Sequence, residues 1–132
     1  MNFTVHNENA TRCLKFGEIS ISPKEENGYR PYELFISSLI GCSGTLLRNI
    51  LMKKRNPFKS IEVTASSVTN NANRIEQFSI VAHVYINELT TTHQAEKVTH
   101  LVVKNCDMIQ SVPQAIKIDF IIANLSINGK IN

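Results

Sequence analysis

Three thiols are the groups in this 132-residue chain best suited to covalent chemistry: Cys13, Cys42 and Cys106. Cys42 lies in "IGCSG", inside the uncharged run from Leu34 to Leu47. A cysteine in such a run ordinarily acts as a small buried hydrophobe. Its neighbours argue for more. On a helix, positions three, four and seven apart share a face, which aligns Cys42 with Phe35, Ser38, Leu39, Thr45, Leu46 and Asn49. That face mixes hydroxyls and an amide with apolar groups, and Gly41 and Gly44 allow another backbone or a ligand to come close. Cys106 falls in the first turn of a predicted short helix, where the positive end of the dipole and free N–H donors favour a thiolate. Asp107 opposes this with its own negative charge.

The remaining candidates have plainer readings. Cys13, on a predicted strand, is a core or passive surface thiol. His83 and Tyr85 share one strand face and could line a pocket, although a half-buried, satisfied pair is the simpler expectation. His93 and His100 stand seven apart on a predicted helix, and no zinc-type spacing of Cys and His occurs, so no metal and no cofactor is expected. Arg48 is expected to be solvated or ion-paired, with an anchoring role at an interface as the alternative. Three cysteines at wide spacing are not a disulfide framework. In a reducing compartment they are fillers or reactive groups.

Positioning these thiols requires a core, and the composition allows one. With 42% hydrophobic and 19% charged residues, the chain reads as a single soluble domain spanning residues 1–132. A net charge of +3 is mild. Its one dense basic cluster, Lys53-Lys54-Arg55, reads as a solvated helix end rather than a nucleic-acid contact. The N-terminus lacks the pattern of a secretory signal, which points to a cytoplasmic protein. The uncharged run, positions 34 to 47, is shorter than the ~20 apolar residues of a membrane span and is interrupted by small polar residues. No nucleic acid and no membrane partner is expected.

Periodicity supplies the elements. Residues 2–6 and 13–22 read as two strands joined by "NENAT". A long apolar helix runs from Pro31, with Glu33 in its acidic first turn, to about Lys54, stopped by Asn56-Pro57. "SIEVTASSVTN" and "QFSIVAHVYIN" alternate as a hairpin. Thr91 and Gln94 have capping-box spacing for a helix to about Lys104. Asn105 would then cap a short helix from Cys106 to Val112, ended by Pro113, and residues 115–127 form a last strand. The sum is an α+β domain, its sheet antiparallel-rich around a long central apolar helix.

The segment "RPYELFISSLIGCSGTLLRNILMKK" resembles the signature helix of the OsmC/Ohr family, and "LVVKNCDMIQSV" is similar to that family's second cysteine segment. The order of elements agrees from about Tyr29 to Phe120. The resemblance implies an OsmC-like fold, an intertwined homodimer with shared active sites, and a peroxidatic thiol at Cys42 resolved by Cys106. It further implies an organic hydroperoxide as substrate and an external dithiol as reductant. In the family's hydroperoxide reductases an arginine and a glutamate activate the thiol. The glutamate's usual place, ten before the cysteine, is Tyr32 here, with Glu33 one step later. Arg12 is the first candidate for the arginine and Arg30 the second. Tyr32 in the glutamate's place suggests the rival reading: the same fold as a small-molecule-binding or redox-responsive stress protein without catalysis.

Overall fold

The computed structural model describes residues 1–86 and 91–126, with side chains through Ala123. Its contacts divide the chain into two compact units, Met1–Ser38 and Leu39–Asn132.

The first unit holds an antiparallel meander of β1 (Thr4–Val5), β2 (Ala10–Leu14) and β3 (Gly17–Ile21), followed by a single 3₁₀ turn at Glu25–Asn27. The sequence suggests one strand over 13–22, but the chain reverses within it. Leu14 pairs with Gly17, leaving Lys15 and Phe16 at a two-residue tip. Gly17 adopts φ +124°, which a side chain would resist, and so lets the chain turn there. The apolar positions change phase across the tip, from Leu14 and Phe16 to Ile19 and Ile21, as a reversal requires.

Helix α1, Pro31–Lys53, starts in the first unit and runs into the second. Its end matches the expected stop with one refinement: Arg55 takes the left-handed conformation at φ 56°. The Asn56 N–H then donates to Leu51 O at 3.0 Å and the Arg55 N–H to Met52 O at 3.1 Å, a Schellman closure that satisfies the last carbonyls ahead of Pro57. Along α1, Leu39, Ser43, Leu47 and Leu51 are buried, one stripe at spacing four. Length and composition alone would let α1 cross a bilayer. The stripe and the sheet beside it give it the character of a core helix, since Val63 of the sheet lies 3.3 Å from where a side chain on Gly44 would begin.

That sheet has the order β4-β5-β6, with β4 Phe58–Thr69, β5 Ile75–Ile86 and β6 Lys117–Ser126. The predicted hairpin is present: β4 and β5 are antiparallel, with Ile61 opposite Val84, Val63 opposite Ala82 and Ala65 opposite Ile80. Phe78, Ile80, Ala82, Val84 and Ile86 are buried while the residues between them are only half-buried. This is the signature of a sheet with one face on a core. β6 joins β5 in parallel, with Phe120 beside Ile80. The expected end of the last strand, Ile127, lies outside the described residues.

A parallel pair needs a crossover, and helices α2 (Thr92–Asn105) and α3 (Asp107–Ser111) supply it. The Thr91 capping box forms as expected, Thr91 Oγ1 accepting from the Gln94 N–H while the Gln94 side chain accepts from the Thr91 N–H. Asn105, expected to cap α3, is instead the last residue of α2. Its Nδ2 donates to Leu101 O at 2.8 Å, so Cys106 takes the junction.

Two substitutions test this account by urea unfolding. Leu47→Ala, at a site with no exposed surface, should lower stability by about 2–4 kcal/mol through lost burial and a cavity. Arg55→Gly should raise it by about 0.5–1 kcal/mol by relieving a left-handed side-chain-bearing residue.

Candidate active site

Cys106 owes its place to a helix that breaks without losing its buried stripe. Val98 and Val102 are buried on α2, Cys106 continues the same spacing with no exposed surface, and Ile109 on α3 is buried next. The Cys106 N–H donates to Val102 O at 2.9 Å, closing α2, and Cys106 O accepts from the Gln110 N–H at 2.9 Å, opening α3. Its backbone at φ −78°, ψ 110° is extended, so one residue is the whole joint.

Cys42 approaches from α1, one side of the buried stripe, and is half-buried. The two thiols are neighbours, close enough for Cys42 to act on the ionisation of Cys106. Burial pushes the Cys106 thiol above its usual range, and the charge and hydrogen bonding of Cys42 push it further. The N–H groups of Ile109 and Met108 act in the opposite sense, favouring a Cys106 thiolate. They do so without a regular side-chain capping bond at α3. Burial wins, so Cys106 holds its proton beyond the pH at which an ordinary thiol gives it up.

The small residues flanking Cys42 do different jobs. Ser43 is buried and its Oγ donates to Leu39 O at 2.7 Å, so it belongs to the core. Gly44 gives its space to Val63 of β4. Gly41 alone faces open space, with nothing within 4 Å of where a side chain would begin.

In the first unit, Glu33 is held by Arg30. The Arg30 Nη2 donates to Glu33 Oε1 at 2.9 Å and the Arg30 N–H to Glu33 Oε2 at 3.0 Å, a half capping box at the start of α1. This pairing holds the Glu33 carboxyl below the usual carboxylate range, through the Arg30 side chain first and its N–H second. Arg12 sits exposed on β2, opposite Ile19. Tyr32 is exposed in the first turn of α1.

The other candidates are satisfied or solvated. Tyr85 Oη donates to Glu62 Oε2 at 3.3 Å, and burial with the Glu62 charge raises its pKa. His83 faces Glu62 across the same strand pair. Cys13 and Arg48 are exposed, the latter 3.3 Å from Asn49 Oδ1. No His, Cys, Asp and Glu cluster suited to a metal ion occurs among the described residues. Of the candidates named from the sequence, the structure brings Cys42 near Cys106 and Glu33 onto Arg30, the second arginine candidate, while Arg12 pairs with neither. The free N–H donors expected at Cys106 are those of Ile109 and Met108, but the lowered pKa expected from them is reversed by burial.

The chain is thus α+β, with a crossover that breaks at one buried cysteine beside a half-buried cysteine on a long helix. The OsmC-like protein model matches residues 23–120, and the chain belongs to that family. No curated protein matches the sequence. Among solved structures, a hypothetical protein from Aquifex aeolicus superposes with TM-score 0.78 at 19% identity, covering 95% of this chain and 94% of that one. An OsmC-like protein from Mycoplasma pneumoniae gives 0.75 at 14% identity, covering 93% and 95%. An organic hydroperoxide resistance protein from Elizabethkingia anophelis gives 0.67 at 14% identity, covering 93% of each chain. At these identities the likeness is one of fold.

The raised Cys106 value predicts a pH dependence of stability. The folded chain keeps a proton that the unfolded chain releases, so this contribution is complete below the usual thiol pKa and is lost as pH rises through the raised value. Under reducing conditions the urea midpoint should fall as pH rises above the ordinary thiol range, and more steeply for the wild type than for Cys106→Ala. Equal slopes would show that Cys106 is not the group responsible.

Proposed function

We propose that this protein is a thiol-dependent peroxidase that reduces organic hydroperoxides. The observation that carries the reading is the pairing of an approachable thiol, Cys42, with a buried protonated one, Cys106. Cys42 as thiolate attacks the terminal oxygen of the hydroperoxide. The S–O bond forms, the O–O bond breaks, and the alkoxide leaves as an alcohol after taking a proton. Cys42 becomes a sulfenic acid.

Cys106 then resolves it. While Cys42 is charged, it suppresses ionisation of Cys106. Oxidation to the neutral sulfenic acid removes that part of the restraint, while burial still opposes the Cys106 thiolate and the N–H groups of Met108 and Ile109 favour it. Its attack forms the disulfide and expels the sulfenic oxygen as water. A dithiol then reduces the disulfide, itself becoming oxidised, and restores both cysteines.

Activation is assigned to an arginine and to Glu33. Nine helical positions separate Glu33 from Cys42, a rise of about 13.5 Å. Such a carboxylate serves the Cys42 of a second copy rather than its own, which supports a homodimer. The single buried stripe of α1 supports it also, since Ile36, Ile40, Leu46 and Ile50 are left only half-buried. Arg12 and Arg30 are the arginine candidates, and Arg30 already orders Glu33.

The test is peroxide consumed per subunit by the reduced protein, with cumene hydroperoxide and hydrogen peroxide. The wild type should turn over with a dithiol and prefer the bulky apolar peroxide. Cys42→Ser should lose turnover. Cys106→Ser should consume about one equivalent and stall, over-oxidising with excess. A wild type no faster than free cysteine removes the peroxidase and leaves the fold as a binding protein. In sedimentation at micromolar concentration the chain should run as a dimer, and a stable folded monomer would remove the shared site.

A further inference from the structure

Away from the thiols, the Leu39–Asn132 unit contains a hollow of about 430 Å³ between the end of α1 and the first half of α2, lined by Lys54, His93, Glu96, Lys97, His100 and Leu101. On α2 the pattern His93, Lys97, His100 follows spacings of four and three, which puts all three side chains on one face. Lys54 reaches in from the other element. Two lysines and two imidazoles thus meet one carboxylate, Glu96. Among the described residues neither Lys54 nor Lys97 is in an ion pair.

The backbone favours the same sign of ligand. His93 lies in the first turn of α2, a helix of 14 residues, where the positive end of the dipole adds to the lysine charges. The opposing end of α1 has its last carbonyls engaged by the N–H groups of Lys54, Arg55 and Asn56, so it presents the Lys54 ammonium rather than free oxygens. Leu101 supplies an apolar wall and the imidazoles supply flat ones, while the volume falls in the range of small-molecule sites. A carboxylate has two oxygens and a single negative charge to share between the two lysines. A phosphate, with its three terminal oxygens, could reach both.

We propose that this hollow binds a small phosphate monoester, its phosphate bridging Lys54 and Lys97 and its organic part lying on Leu101 and the imidazoles. The occupant joins the two helices that carry the thiol pair, since α1 bears Cys42 and α2 ends at Cys106. The assignment stands independently of the peroxidase reading.

The experiment is a titration of the full-length reduced protein with inorganic phosphate, phenyl phosphate and a short oligothymidylate, followed by amide and imidazole NMR shifts. Phenyl phosphate should give saturable shifts confined to Lys54 and residues 93–101 and should bind more tightly than inorganic phosphate. Lys54→Gln and Lys97→Gln, both at exposed positions, should each weaken it by about tenfold while leaving the remaining spectrum unchanged. Drift without saturation, or undiminished affinity in both variants, overturns the site. Tighter binding of the oligothymidylate, weakened as much by Lys53→Gln or Arg55→Gln as by Lys97→Gln, also overturns it and makes the basic helix end a nucleic-acid contact.

Discussion

The parallel pairing of β6 on β5 is the constraint on which the rest of the larger unit depends. Two strands that run the same way cannot be joined by a tight turn, so the chain must travel back along the sheet before β6 begins. α2 makes that return and packs on the same sheet. It cannot simply continue, because the chain has to turn towards β6, and the turn is made by one residue that closes one helix and opens the next. That residue is Cys106. Its sulfur is therefore fixed by backbone hydrogen bonds on both sides and by the Val98, Val102 stripe beneath it, with no need of a dedicated loop.

Much of this arrangement is legible in the sequence, and the failures have physical causes. The β4 and β5 alternation is read directly, because one face of the pair is buried and the other is not. α1 and α2 announce themselves through Pro31, the Thr91 capping box and the basic residues at their ends. The β2 and β3 turn is missed although Gly17 and the shift of apolar phase from Leu14 and Phe16 to Ile19 and Ile21 both mark it, because the two halves are each too short to stand out as separate strands. The parallel direction of β6 is not written in its own residues at all; it follows from where α2 returns the chain. Both cysteines are legible as candidates from their neighbours. Their adjacency is a tertiary fact, created by the packing of α1 and the crossover on one sheet.

The small residues around Cys42 show how similar sequence features diverge once packed. Gly41, Ser43 and Gly44 look alike as a small-residue setting for a thiol. In three dimensions one faces open space, one fills the core and one admits β4. The division follows from helical phase, since Ser43 belongs to the Leu39, Leu47, Leu51 stripe and Gly41 lies well away from it. Space for a ligand next to Cys42 is therefore to be sought on the Gly41 side.

Why a thiol stands in the most apolar segment of the chain can be answered from the two sulfurs together. A deeply buried thiol resists ionisation and a fully exposed one is open to every oxidant. Here the two cysteines divide those properties: Cys42 is at the margin of the core and Cys106 is inside it. The apolar helix serves as the wall that keeps the inner sulfur dry while carrying the outer one to its edge. In the proposed cycle the inner thiol's reluctance to ionise is useful. It keeps Cys106 protonated through burial first and the neighbouring Cys42 second, so in that cycle the first attack on the peroxide falls to the outer sulfur.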